Sequence, residues 1–434
     1  MEENYILESD WYRLDNSAKI YPAIMTERQT TLFRYAFTLT EEIDPELLQQ
    51  ALEIIFPRFP YFNVSLRKGF FWNYLERNND RPTVHCDTPA PCESINDIYN
   101  NGFLYKVLYF KKRIAVEFSH VISDGYGALE FTKTLIFEYL KLKGHNPEND
   151  GSIMDVSEKP DKGEFLDDHK RYSQIYGKPT EEEKERNLFG KTKAFLIKGR
   201  VLPADRYHIV TGIIPSDDLR KKAREYNATI TEFLTAIYLE SLIEIQFRQV
   251  KNPEKLRSVA VQVPVNMRNK LESKSMRNFS LFVTPTLNPP KFPGFDELVG
   301  FTRDFIRENA TTKRLINILR DNVSVGESPL VKHVPLFLKL PITKYIVNTS
   351  GSSQHSGTLS NLGLVKLPEK MTELVEDIVF NLSPDPHAKT NAAVIGYNGR
   401  VYLTFGRVIK DAPIERLVFR KLVKMGIHVK LQSN

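Results

Sequence analysis

The segment RIAVEFSHVISDG, Arg113 to Gly125, constrains the fold more than any other stretch of the chain. Ile114, Val116, Phe118 and His120 fall on one face of an extended backbone, and Ala115, Glu117 and Ser119 on the other, because successive strand side chains point to opposite sides. Tyr105 to Phe110 precedes this strand across Lys111 and Lys112, so the two read as a hairpin. After the loop ISDG the period changes. Leu129, Ile136, Tyr139 and Leu140 recur at helical spacing, which predicts a helix from Gly127 to Leu142. A hairpin, a short loop and an amphipathic helix in succession require a fold that packs helices on a sheet.

The rest of the chain repeats this mixture. Thr30 to Leu39 is aromatic and apolar and reads as a strand. Asp44 followed by Pro45 is a helix start, a capping side chain and then a residue whose missing N–H costs nothing in the first turn. Leu47, Leu48, Ala51, Leu52 and Ile55 continue that helix and Pro57 ends it. Two strands follow, Asn63 to Leu66 and Phe70 to Glu76, turning near Lys68 and Gly69. In the second half the pattern predicts strands at Tyr207–Ile214, Ser258–Val265, Leu281–Leu287, Asp377–Leu382, Ala392–Tyr397 and Arg400–Arg407. Asn398-Gly399 joins the last two as a hairpin turn. Helices are predicted at Thr229–Gln249, capped by Thr229 or Thr231, near 296–320 and 329–347, and at Ile414–Met425. Thr349 to Gly357 reads as a polar loop. Residues from about 144 to 205 are charged and lack periodicity, as a linker with room only for short helices would. The expected class is α/β with mixed sheets, divided into an N-terminal unit (1–150), a crossover linker (151–205) and a C-terminal unit (206–434).

Composition narrows the function classes. Hydrophobic residues make up 41% of the 434, enough for a large core, and 27 Phe and 19 Tyr make that core aromatic. The net charge is +6 from 60 basic and 54 acidic side chains, spread along the chain without the basic stripe of a nucleic-acid binder. A modest positive bias suits an anionic ligand. Cys86 and Cys92 form neither a metal pattern nor a disulfide framework. The start, MEENYILESD, has no apolar signal core, and no apolar run reaches the length of a membrane span. The expectation is a cytoplasmic protein with no nucleic-acid partner, no membrane span and no metal.

Familiar catalytic strings are missing: HExxH, CxxC, GxSxG and GxGxxG do not occur. Gly190-Lys191-Thr192 looks like the end of a phosphate loop, but Glu185 stands where its first glycine belongs. His333, His355 and His387 have no patterned neighbours and read as surface or loop residues. His120, Asp124 and Gly125 remain. A histidine ending a buried strand keeps a neutral imidazole, because burial disfavours the charged ring, and a neutral imidazole can accept a proton. Asp124, at the loop-to-helix junction, can cap the helix or hold a partner. Gly125 leaves room for a substrate or another backbone. On the residues alone, a catalytic histidine and a satisfied core histidine stand level.

HVISDG resembles the HxxxDG motif of the CoA-dependent acyltransferase superfamily, which includes chloramphenicol acetyltransferases, alcohol acetyltransferases and condensation domains. ALEIIFPRFPYF (Ala51 to Phe62), with Arg58-Phe59-Pro60, is similar to the early helix of that group. PVNMR (Pro264 to Arg268) with Arg277-Asn278-Phe279, and LSNLG (Leu359 to Gly363), resemble segments of its alcohol-acetyltransferase-like members. Ser119 stands where condensation domains usually carry a second histidine, and no DFGWG string occurs, which turns the resemblance toward the alcohol-acetyltransferase-like branch. The resemblance implies two chloramphenicol-acetyltransferase-like subdomains with an active-site tunnel between them. It implies acyl-CoA as co-substrate, a small-molecule acceptor, and His120 as the base, with direct attack and no acyl-enzyme. An acyl or peptidyl carrier protein is the alternative donor, and a non-catalytic binding member the alternative role. Asp124 becomes a structural anchor with Arg268 as its candidate partner. Ser360, Asn361, Asn278 and Ser280 are candidates for oxyanion or substrate contacts.

Overall fold

A computed structural model describes residues 10–95, 99–178, 180, 193–204, 206–288 and 292–434. The GKT string lies outside the described residues. The hairpin read from the sequence is present, as β3 (Tyr105–Phe110) and β4 (Arg113–Ser119), and it sits beside β1 (Leu32–Leu39) and β2 (Val84–Cys86). The C-terminal half supplies β5 (His208–Pro215), β6 (Val259–Asn266), β7 (Ser280–Val283), β8 (Gly357–Leu364), β9 (Val375–Asn381), β10 (Thr390–Tyr397), β11 (Arg400–Arg407) and β12 (Lys430–Ser433).

Among the described residues these strands build a five-stranded sheet, ordered β9-β1-β4-β3-β2, and an eight-stranded sheet, ordered β7-β6-β8-β10-β11-β5-β12, where Thr286–Leu287 also pairs with β6. Both sheets are mixed: β2 runs parallel to β3, and β8 runs parallel to β6 and β10. A further small sheet joins Trp11–Arg13, Asn73–Arg77 and Val64–Lys68. The mixed α/β class with two sheet-centred halves matches the reading of the sequence.

The division by sequence position does not hold for every strand. β9 belongs by number to the C-terminal unit, yet it pairs antiparallel with β1 in the first sheet, Ile378 opposite Phe37 and Phe380 opposite Tyr35. Phe380, Ile378 and Met371 are buried in the first core with residues of the N-terminal half. The strand buries Ile378 and Phe380 only by crossing over.

The face of β4 that carries Ala115, Glu117 and Ser119 is also buried. Glu117 is tolerated there because Arg34 Nη1 donates to it at 2.9 Å and Lys106 Nζ lies 2.7 Å away, while Arg34 also pairs with Asp87. A buried charge without such partners costs several kcal/mol, on the order of the penalty for breaking a buried pair.

Helix α1 (Pro45–Ile55) starts as the sequence predicts, with Asp44 accepting from the Glu46 and Leu47 amides at 3.0 and 3.2 Å. Helix α2 (Gly125–Leu142) starts two residues earlier than its apolar pattern suggests, because Asp124 is its cap. The stretch read as a linker contains α3 (Asp168–Tyr176), with Asp168, His169 and Tyr172 buried. Glu164 in the same stretch is buried against Arg58 of the first half, a long-range pairing that periodicity could not show. Helix α4 (Ile230–Gln249) is capped by Thr229 in a reciprocal box with Glu232, and is buried along most of its length.

Candidate active site

His120 follows the last residue of β4, a central strand of the first sheet. Its amide donates to the Thr31 carbonyl at 3.1 Å, extending the β1–β4 ladder by one pair. The ring lies against Tyr21, stacked with centroids 5.1 Å apart, and against Phe33 at 4.5 Å. Nδ1 is buried and makes no hydrogen bond among the described residues. Burial pulls the imidazole below the ordinary histidine range, and the Asp124 charge, the Asn278 side chain and the Ser123 backbone offset this only in part. The ring is therefore held neutral, the form that can accept a proton.

Asp124 is committed elsewhere. Its Oδ2 accepts from Arg268 Nη1 at 2.8 Å and from the Phe279 amide at 2.8 Å, and its Oδ1 accepts from the Tyr126 amide at 3.2 Å. The pair is buried on both sides, with side-chain exposures of 6% and 8%. Arg268 directs its Nε and Nη2 to backbone carbonyls, reaching Ser275 at 2.9 and 2.8 Å and Arg277 through Nη2, while Nη1 also donates to Asn266 Oδ1 at 3.3 Å. Its guanidinium lies 4.6 Å from the Tyr126 ring centre. One cation thus ties β6's end, the 275–279 segment and the loop after His120 into one unit.

The glycines of the loop make that docking possible. A Cβ on Gly127 would stand 2.2 Å from the Met276 carbonyl oxygen and 2.4 Å from Ser123 Oγ. A Cβ on Gly125 would stand 2.7 Å from Leu362 Cδ2 and 3.2 Å from the Tyr35 hydroxyl. Gly125 therefore leaves space for Leu362 of LSNLG, so the two motifs meet where the halves of the chain meet.

The remaining candidates fall in different places. Asn278 Nδ2 donates to the His120 carbonyl and to Asp15 Oδ2, both at 2.9 Å, so its amide holds the backbone of the histidine. Ser280 opens β7 opposite Asn266. Ser360 is buried in β8 opposite Ala393. Asn361 donates to Thr231 Oγ1 at 2.9 Å and accepts from the Gly363 amide at 2.8 Å, shaping the irregularity in β8. Arg58 makes a two-pronged pair with Glu164, 2.8 Å at each oxygen, and Tyr61 donates to the same carboxylate at 3.1 Å. That string anchors the crossover segment to the first half. No group of three or more His, Cys, Asp or Glu that could hold a metal occurs among the described residues.

Sequence reasoning missed Asp15, Tyr21, Phe33 and Glu164. Asp15 is fully buried, accepts from the Ala18 amide at 2.7 Å, and lies 3.7 Å from Arg277 Nε. None of these residues sits in a patterned string, and each gains its role from partners more than 85 positions away.

This arrangement defines a two-sheet mixed α/β fold with a neutral histidine at the edge of the junction. The comparisons agree with that class. The family model described as alcohol acetyltransferase matches residues 213–391, a span that holds Arg268, Asn278 and LSNLG but not His120. The epimerization domain from the third module of tyrocidine synthetase B has the same fold, with a TM-score of 0.63, 13% identity and 96% of each chain covered. Polyketide synthase associated protein 5 from Mycobacterium tuberculosis superposes with a TM-score of 0.61 at 12% identity, covering 94% of this chain and 96% of that one. The first condensation domain of the CDA synthetase gives 0.58 at 13% identity, with 96% of each chain covered. No curated protein matches the sequence. The family match covers less than half of the chain, and the likeness to the solved structures is one of fold.

Proposed function

We propose that the chain transfers an acyl group, an acetyl group in the simplest case, from a CoA thioester to a hydroxyl or amine acceptor, with His120 as general base. The observation that carries this reading is the neutral His120 ring, placed at the end of a central strand by a loop whose only carboxylate is already spent on Arg268. His120 takes the proton of the acceptor as its oxygen or nitrogen attacks the thioester carbonyl. The C–S bond then breaks, and the CoA thiolate leaves and recovers the proton from the imidazolium. No acyl-enzyme forms in this scheme. General-base help of this kind contributes roughly 10²–10⁴-fold in rate. Ser360 and Ser280 remain the candidates for the developing oxyanion. The Asn278 amide already gives both of its hydrogens, to His120 and Asp15, whereas Asn361 could serve through its second donor hydrogen. Both cysteines are free, which suits a reducing compartment, and we place the reaction in the cytoplasm.

The test is CoA-thiol release from acetyl-CoA, screened against pooled alcohols, amines and sugars, for the wild type and His120→Ala. The expected result is acceptor-dependent release that His120→Ala lowers by at least about 100-fold while the thermal melt is kept. Wild-type turnover in the mutant would end the reading. The fold shared with synthetase condensation and epimerization domains favours a second donor, an acyl group on a pantetheine carrier. Turnover with a loaded carrier but not with free acetyl-CoA would select it.

A further inference from the structure

Helix α5 (Leu336–Ile346) is built inside out. At 3.6 residues per turn, Phe337, Leu338, Pro341, Ile342, Tyr345 and Ile346 share roughly one half of its surface, and that half faces solvent. Phe337 is 70% exposed and Tyr345 71%. The opposite half carries the charged Lys339, which is buried. A surface helix normally turns its apolar stripe to the core.

The orientation is pinned. Lys339 Nζ donates to the Phe71 carbonyl at 2.9 Å and lies 3.3 Å from the Trp72 ring centre, and the Leu336 amide donates to the Phe70 carbonyl at 2.8 Å. These contacts hold the helix against the hairpin tip at 69–72, which adds Phe70, itself 70% exposed, and the exposed Phe71. The two elements therefore present one continuous apolar ridge, of the kind that marks an interaction surface.

Charge says what covers it. Residues 67–74 and 329–349 contain Arg67, Lys68, Lys332, Lys339 and Lys344 and no Asp or Glu. At the margins, Glu76 pairs with Arg67, and Glu327 pairs with Lys332 and Lys19. Lys68 and Lys344 are exposed and have no acidic partner among the described residues. Aromatic and aliphatic side chains on a ridge flanked by the exposed Lys68 and Lys344 match the boundary between acyl chains and anionic headgroups, where long basic side chains reach the phosphates. A second copy of the chain fits less well, because a two-fold contact would set these cations against themselves.

We infer that the face formed by α5 and the 69–72 hairpin tip docks the protein on an anionic bilayer surface. The docking is peripheral, since no helix among the described residues is long and apolar enough to cross a membrane. α5 also packs against Tyr21–Ile24, the segment whose Tyr21 covers His120. Docking would thus place a bilayer beside the cover of the candidate site.

The test is co-sedimentation of the full chain with sucrose-loaded vesicles, either of phosphatidylcholine or of equimolar phosphatidylcholine and phosphatidylglycerol. Wild type is expected to pellet with the anionic vesicles, and Phe337→Ser/Ile342→Ser to lose at least about tenfold in partitioning, since each side chain gives up its buried area. Both positions are exposed, so the variant should keep the wild-type melt. Lys68→Glu/Lys344→Glu should lose the preference for anionic over neutral vesicles. Absence of wild-type pelleting, or equal pelleting of the serine variant, would overturn the inference. A dimer in sedimentation equilibrium that the serine variant breaks, without vesicle binding, would also overturn it and assign the face to a second copy.

Discussion

Arg268 Nη1 lies 2.8 Å from Asp124 Oδ2, joining residues 144 positions apart across the junction of the two halves. The bond matters because Asp124 also caps α2 and accepts from the Phe279 amide, so one ion pair sets the loop that follows His120. Losing one partner of a buried pair leaves the other charge stranded, at a cost of about 3–5 kcal/mol. Arg268→Ala and Asp124→Ala should each lower unfolding free energy by that order in urea titrations. The double mutant should lose clearly less than the sum. Additive losses would show that the pair does not act as a unit.

The pH dependence has a definite sign. Burial, the largest influence, holds His120 below the ordinary histidine value of about 6.5. In the unfolded chain the same ring binds a proton more readily. The contribution to stability is thus fully present above the unfolded value and is lost as pH falls toward the folded one. The acid limb of kcat/KM, which reports the free enzyme's base, should inflect below about 6.5. An inflection at or above that value, retained in His120→Ala, would assign the limb to another group.

The two glycines of the loop should respond differently to alanine. The Gly127 methyl meets a backbone carbonyl that cannot move without shifting the 275–279 segment, whereas the Gly125 methyl meets the end of the Leu362 side chain. Gly127→Ala should destabilise by at least about 1–3 kcal/mol, the usual range for overpacking. Gly125→Ala should cost less, because Leu362 can change rotamer. Thermal melts of the two variants decide the order, and a reversed order would mean that the Leu362 contact is the stiffer one.

The cysteines should separate in a thiol titration. Cys86 is exposed, while Cys92 is buried, and burial together with the Glu117 charge pushes its thiol well up. One thiol per chain should react with an aromatic disulfide under native conditions, and two in denaturant. Two fast thiols in the native protein would show that the Cys92 region opens.

The amino-acid sequence alone determined many of the local elements and singled out His120 as a candidate. The two-residue period of Arg113 to His120, the Asp44-Pro45 start of α1 and the Asn398-Gly399 turn between β10 and β11 all appear as read. Such signals are short-range, since backbone geometry writes strand and helix periods into neighbouring residues. Arg268 was reachable only through resemblance, because its partner is set by docking of distant segments. Tertiary structure alone decided that β9 crosses into the first sheet, that Glu164 leaves a charged stretch to pair with Arg58, and that Tyr21 and Phe33 enclose His120. It also decided which way α5 faces. An apolar pattern at 336–346 reads as buried in any local window. Only the anchoring of Lys339 at Phe71 and Trp72 turns that pattern outward. Contacts between positions far apart in the chain are chosen by burial and pairing over the whole molecule, and no stretch of neighbouring residues contains that choice.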